Sequence, residues 1–178
     1  MAEVTKWGID KAHSHVGFKV KHLMVASVRG KFTEYDADIA TTNDDFTSAE
    51  VDLWIDPSSV DTGSPDRDKH ITSPDFFDAV NHKQITFKGN SFTEVDHDGS
   101  YQVTGDLTIN GITNRITLDV EYGGILKDPW GNQKAVVNVH GTINRKDWNL
   151  VWNAALETGG VLVSDEVKID CELQLFKK

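Results

Sequence analysis

The chain has 178 residues, with 18 basic and 28 acidic side chains, a formal net charge of −10 and a hydrophobic fraction of 38%. That size fits one domain over 1–178 with a core that needs no staples, and the single thiol, Cys171, excludes an internal disulfide. The acidic balance argues against nucleic acid or an anionic membrane surface as main partner, because phosphate binding needs a basic patch and no run of Lys and Arg supplies one.

Period-2 alternation opens the chain. In His13–His22, Val16, Phe18 and Val20 share one face, while His15, Lys19 and Lys21 take the other. Ala49, Val51, Leu53 and Ile55 then alternate with Glu50, Asp52, Trp54 and Asp56. Ser64-Pro65-Asp66-Arg67-Asp68 breaks the period with an N-cap serine, proline at the first helical position and acids in the first turn, which predicts one short helix. A second start at Ser73-Pro74-Asp75 predicts a turn or 3-10 piece that packs Phe76 and Phe77 on the sheet.

Alternation resumes at Tyr101, Val103, Leu107 and Ile109, and again at Ile116, Leu118, Val120 and Tyr122. Asn110-Gly111 between them fits a type I′ hairpin, and Asp98-Gly99 is a second candidate of the same kind. Gly123-Gly124 and Gly159-Gly160 are expected at strand ends, and Asp128-Pro129-Trp130-Gly131-Asn132 at a loop tip. Val137, Val139 and Ile143, then Val167, Ile169, Cys171, Leu173 and Leu175, complete the pattern. About eight strands with one wet and one dry face make an antiparallel sheet. Closure into a barrel removes its edges economically, and a two-sheet sandwich is the alternative that spacing leaves open.

His13 and His15 share one side of a strand, a spacing that metal sites use, but His22 lies on the opposite face and no zinc motif supports them. The expectation is no metal and no cofactor. No Ser sits in a nucleophile elbow, Cys171 alternates with apolar residues as a core thiol does, and carboxylate pairs such as Asp44-Asp45 and Asp96/Asp98 fall at turns. Nothing reads as an enzyme. Binding is the remaining class, since a barrel of this size either fills with side chains or holds one small ligand. Phe18, Phe32, Phe87, Trp54, Trp130, Trp148 and Trp152 supply aromatic wall. Donors for a polar head are Ser14 and His22 on the Val16/Phe18 face, Arg67 and His70 of the helix, and Arg145. Arg67 beside Asp66 and Asp68, and Arg145 ending a strand, are equally placed to pair with surface acids.

The opening Trp7-x-Ile9-Asp10-x-x-His13-Ser14-x-Val16-x-Phe18-x-Val20-x-His22-Leu23 resembles that of the YceI-like family. So do Ser59-Val60-x-Thr62, the stretch from Arg67-Asp68-x-His70-Ile71 to Asp75-Phe76-Phe77-Asp78, Ile85-x-Phe87, Gly105-Asp106-Leu107-Thr108-Ile109-x-Gly111 and Ile143-Asn144-Arg145-x-Asp147-Trp148. Phe-Gly is commoner in the family where this chain has Trp148-Asn149. The resemblance spans nearly the whole chain. It implies an all-β fold, a lipocalin-like antiparallel barrel of eight strands with one short α-helix and a 3-10 turn around a long tunnel. It also implies non-catalytic binding, transport or storage of a polyisoprenoid or fatty-acid-like molecule, often by a homodimer. Ligand contact carries over to Ser14, Phe18, Arg67, Phe76 and Phe77.

The full expected ligand-binding set is Ser14, Val16, Phe18, Val20, His22, Phe32, Arg67, His70, Phe76, Phe77, Phe87 and Arg145. The rival readings are an enzyme acting through His13, His15 or His22 on a metal-bound or lipid substrate, and a ligand-free dimeric interaction module. No integral membrane segment is expected, as no apolar run reaches bilayer length. Residues 1–10 show neither the basic nor the apolar region of a secretory leader, although many family members are periplasmic. The expected location is therefore cytoplasmic, or periplasmic for a protein whose leader has been removed.

Overall fold

The computed structural model describes residues 3–23, 25–95, 97–154, 156 and 162–178. Its strands are β1 (Val4–Ile9), β2 (His15–His22), β3 (Ala26–Phe32), β4 (Tyr35–Thr42), β5 (Asp45–Ile55), β6 (Val60–Asp61), β7 (Ile85–Val95), β8 (Ser100–Ile109), β9 (Ile112–Lys127), β10 (Gln133–Asn144) and β11 (Val163–Lys177). Hydrogen bonding runs β1-β4-β5-β7-β8-β9-β10-β11, and β11 returns to β1, so eight staves close into an antiparallel barrel. The sandwich alternative is thereby excluded.

Three staves are bent. β1 and β2 are one strand interrupted by a 3-10 turn at Lys11–His13, and β3 with β4 runs alongside them. β11 forks across that bend, its C-terminal end pairing with β1 and its N-terminal part with β2. Where the turn interrupts the ladder, the Asp10 amide donates to the Gln174 carbonyl at 2.8 Å, and the Gln174 amide donates to Ser14 Oγ at 3.0 Å. Both Gln174 backbone groups are thus satisfied. Lys134 Nζ at 2.7 Å and His13 Nδ1 at 2.8 Å hold the Asp10 carboxyl down to about 2.

The helix α1 (Pro65–Ile71) starts as expected, with Ser64 Oγ accepting from the Arg67 amide and proline in the first turn. The Ser73-Pro74 segment is a hydrogen-bonded turn, with the Phe76 amide donating to the Ser73 carbonyl. The 3-10 turns lie elsewhere, at Lys11–His13, Pro57–Ser59 and Arg145–Trp148. Asn110 and Gly111 both have positive φ, 54° and 75°, as a type I′ hairpin requires.

Asp98-Gly99 does not form such a turn. Positive φ falls on His97 and Gly99, while Asp98 Oδ1 accepts from the Ser100 amide, an Asx-type turn in a longer loop. Gly123-Gly124 does not end a strand either. β9 runs on to Lys127 through a bulge at this pair, which Gly124 permits at φ 85°. The expectations for Gly159-Gly160 and Asp96 lie outside the described residues.

Glycine shapes the barrel corner where Gly105 faces Gly89. A methyl group on Gly105 meets the Lys88 carbonyl oxygen at 2.5 Å and Gly89 Cα at 2.7 Å, so the backbone itself must move. Gly105→Ala is expected to cost about 2 kcal/mol, lowering the thermal midpoint by about 6 °C for a chain of this length. An unchanged melting curve would show that the corner is softer than the contact distances imply.

Candidate functional site

The inward positions of the eight staves do not meet in the middle. They surround a cavity of about 560 Å³, within the range of small-molecule sites. On β11 its wall extends from Val163 to Leu175, about 30 Å along the barrel axis at ordinary strand rise and tilt. The cavity is therefore long and narrow.

One end is floored. Phe46 lines the cavity and packs its ring 5.0 Å from Trp7 and 4.9 Å from Tyr122, with Tyr101 behind Tyr122 at 5.9 Å. Trp7 is 0% exposed, and its Nε1 donates to Thr41 Oγ1 at 3.1 Å. Burial raises the pKa of both Tyr122 and Tyr101 above the ordinary phenol value. The floor is an aromatic plug anchored by the hydrogen bond from Trp7 to Thr41.

The other end is the mouth. Among the described residues, the charged and imidazole side chains on the wall are His22 at the end of β2, Asp66, Arg67 and His70 on α1, and Arg145 after β10. Along the barrel below them the lining is Val, Ile, Leu, Phe and Ala, with Gly17 and Cys171 among them. Burial pushes the Cys171 thiol up to about 11.

Of the twelve expected ligand residues, Val16, Phe18, Val20, His22, Phe32, Arg67, His70, Phe76, Phe77, Phe87 and Arg145 line this cavity. Phe32 joins the two aromatic groups of the wall, 5.6 Å from Phe18 and 5.9 Å from Phe77. Ser14 does not line it. Ser14 caps the 3-10 turn ahead of β2, where the ladder is interrupted, and the Ser14 hydroxyl serves the β11 backbone instead.

The polar groups at the mouth differ in what they have left to offer. Arg145 is 3% exposed, and its guanidinium donates to the carbonyls of Leu150, Trp152, Val163 and Ser164. It also lies 4.0 Å from Asp165. Burial lowers its pKa and Asp165 partly opposes that. Its donors are spent on building the rim, so it is a positioning residue rather than a head-group donor. Arg67 pairs with neither flanking aspartate. Its Nε donates to Thr62 Oγ1 at 2.8 Å and its Nη2 to the Thr62 carbonyl at 2.7 Å, and no hydrogen bond among the described residues engages Nη1. His70 Nε2 shares a 2.9 Å hydrogen bond with Asp75 Oδ2, and its ring meets Trp152 and Phe76 edge-on at 4.6 and 5.2 Å.

His13 pairs with Asp10, and His15 lies on the outer face, over Gly17. Among the described residues, no group of three His, Cys, Asp or Glu side chains is placed to hold a metal ion. No helix among them is long and apolar enough to cross a membrane.

Sequence reasoning missed Asp66, Ile39 and the floor residue Phe46. The run Tyr35-Ala37-Ile39-Thr41 does alternate inward, but alanine and threonine mute its hydrophobic signal.

The YceI-like domain model matches residues 7–175. The chain belongs to the YceI-like family. A UPF0312 protein of Staphylococcus aureus is 41% identical over 172 residues, covering 96% of this chain and 97% of that protein. The Campylobacter jejuni YceI protein shares the fold with a TM-score of 0.75 and 33% identity, covering 96% of each chain. A polyisoprenoid binding domain from Saccharophagus degradans superposes with a TM-score of 0.71 at 18% identity, over 97% of this chain and 98% of that one. One departure of this YceI-like chain from the family resemblance has a local reason. Asn149, where glycine is commoner, has φ 59°, and asparagine is among the few side chains that tolerate that region.

Proposed function

We propose that this protein binds a long-chain apolar or amphiphilic molecule, isoprenoid or fatty-acid-like, and carries or stores it without catalysis. The observation that supports this reading is the shape and polarity of the cavity, floored by aromatics, apolar along its length and polar at the mouth. The Saccharophagus degradans protein of the same fold is a polyisoprenoid binding domain, which agrees with a long apolar guest. Val16, Phe18, Val20, Phe32 and Phe87 would contact the tail, and Phe76 and Phe77 its segment near α1. His22, His70 and the uncommitted Nη1 of Arg67 would meet the head. Tail burial supplies most of the affinity, at about 25 cal/mol per Å² removed from water, so recognition of the head can be loose.

Mass spectrometry of the purified protein, native and after organic extraction, tests the proposal and names the guest. Cys171 provides a second reading because its thiol lines the cavity. With the pKa raised to about 11, thiolate is scarce at neutral pH. Labelling by a small apolar thiol reagent is therefore expected to be slow there and to accelerate about tenfold per pH unit as pH approaches 11. Loading with a long-chain fatty acid should suppress labelling at every pH. Equal labelling of loaded and empty protein would place the guest outside the barrel.

A further inference from the structure

Strand pairing assembles a basic face that the linear sequence does not show. Lys168 on β11 is the partner of Lys19 on β2, and Lys19 is the partner of Arg29 on β3, so three cations form a row across three strands. Lys21 and Lys31 share the same outward face of β2 and β3, two residues to either side. None of these five forms an ion pair within 4.0 Å among the described residues. Two acids border the face at one end, Asp61 opposite Lys31 and Asp170 opposite Gly17, so the five cations outnumber them; Asp61 also accepts from the Gly63 amide and Asp170 lies against His140. In a chain of net charge −10 this is a local excess of positive charge, five cations against these two acids. Like charges placed side by side cost stability, so the row asks for a partner.

The hairpin that carries the row ends in exposed apolar side chains at the cavity mouth. Leu23 is 48% exposed and Val25 86%, and Val151 across the rim is 54% exposed. The Leu23 amide donates to the Leu162 carbonyl at 2.9 Å, tying the tip to a rim segment that lines the cavity. Along the hairpin, Lys21 lies about 7 Å behind Leu23 and Lys19 about 13 Å. Apolar side chains that enter the acyl boundary, with cations just behind them at phosphate depth, are the arrangement of an interfacial anchor.

We propose that the β2–β3 hairpin docks this protein on an anionic lipid bilayer, tip inward, with the cavity mouth at the membrane surface. The proposal rests on the carrier reading, because docking there lets a long apolar guest pass between bilayer and barrel without crossing water. The basic face and the apolar tip act together, so neither neutral lipid nor charge alone is sufficient.

Flotation of the full chain with vesicles tests this, using phosphatidylcholine alone and phosphatidylcholine with one third phosphatidylglycerol, at low and high salt. Binding is expected only to the anionic vesicles and only at low salt, where screening is weak. Lys21→Ser with Arg29→Ser should weaken it about 25-fold, at about fivefold for each cation. Leu23→Ser with Val25→Ser should weaken it at least tenfold. All four positions lie outside the cavity lining, so both variants should still take up a fluorescent long-chain fatty acid presented from detergent. No flotation of the wild type, or flotation untouched by both variants, would overturn the proposal. Retention on a polyanion matrix with no vesicle binding would overturn it too, assigning the face to an acidic macromolecule. Uptake from detergent without flotation defeats docking and leaves the carrier reading standing; flotation with no uptake defeats the carrier reading.

Discussion

Val16→Trp is expected to shorten the chains this barrel accepts while leaving short guests almost unaffected. Val16 is buried on the inner wall, between Phe32 on β3 and Cys171 on β11. An indole there fills a narrow cavity part-way down, and everything between it and Phe46 becomes unreachable. Each methylene kept in water forfeits about 0.8 kcal/mol, about fourfold in affinity. A tail denied five methylenes should therefore lose close to a thousandfold, and a tail that ends above residue 16 should lose little. Val20→Trp, four residues nearer the mouth, should move the cut-off to shorter chains still. Titration with a chain-length series of fatty acids gives the measurement. Equal losses for long and short chains would sink the tunnel reading.

Arg145→Met is expected to cost about 3–5 kcal/mol of stability, because it strands buried acceptors, and to lower the thermal midpoint by roughly 10 °C or more. Four backbone carbonyls accept from this one guanidinium, and they belong to segments far apart in the chain, Leu150 and Trp152 on one side and Val163 and Ser164 on the other. Methionine matches the length of the stem and replaces none of the donors. Arg145→Lys should rescue only part of the loss, since one ammonium cannot address four acceptors spread around a planar fork. A melting series on the three proteins decides the matter. Were Arg145 a head-group ligand instead, Arg145→Met would weaken guest binding and leave the melting curve in place.

What the sequence disclosed followed how local each determinant is. The inward row Val16-Phe18-Val20-His22 was legible because one strand with one dry face writes its own pattern. The start of α1 was legible because Ser64 and Pro65 act on adjacent residues. The turn at Lys11–His13 was not, as nothing in Lys-Ala-His forbids a continuing strand, and the three-residue slip it introduces against β11 misplaced Ser14. Arg145 sits at a strand end, where an exposed ion pair is the ordinary outcome, and only the return of the chain at Val163 buries it. The basic row is the extreme case, for Lys19, Arg29 and Lys168 become neighbours only through pairing of three strands. The cavity was hidden for a related reason. A filled core and a hollow one require the same alternation, and the difference lies in volume summed over eight staves.

The fork in β11 bears on how such a barrel comes into being. One segment, Val163–Lys177, supplies the seam against β1, β2 and β10 at once. As the chain leaves the ribosome, the first stave must wait, its β11-facing edge unpaired, until some 150 further residues have followed. Joining partners so distant in sequence is slow, since loop closure must precede any reward from contact. Until then the interior is an open trough, its apolar wall and two raw edges presented to the surroundings. The nascent protein is therefore most adhesive just before it becomes a container, and a guest lying in the trough at that moment would be enclosed by the last strand rather than admitted through the mouth.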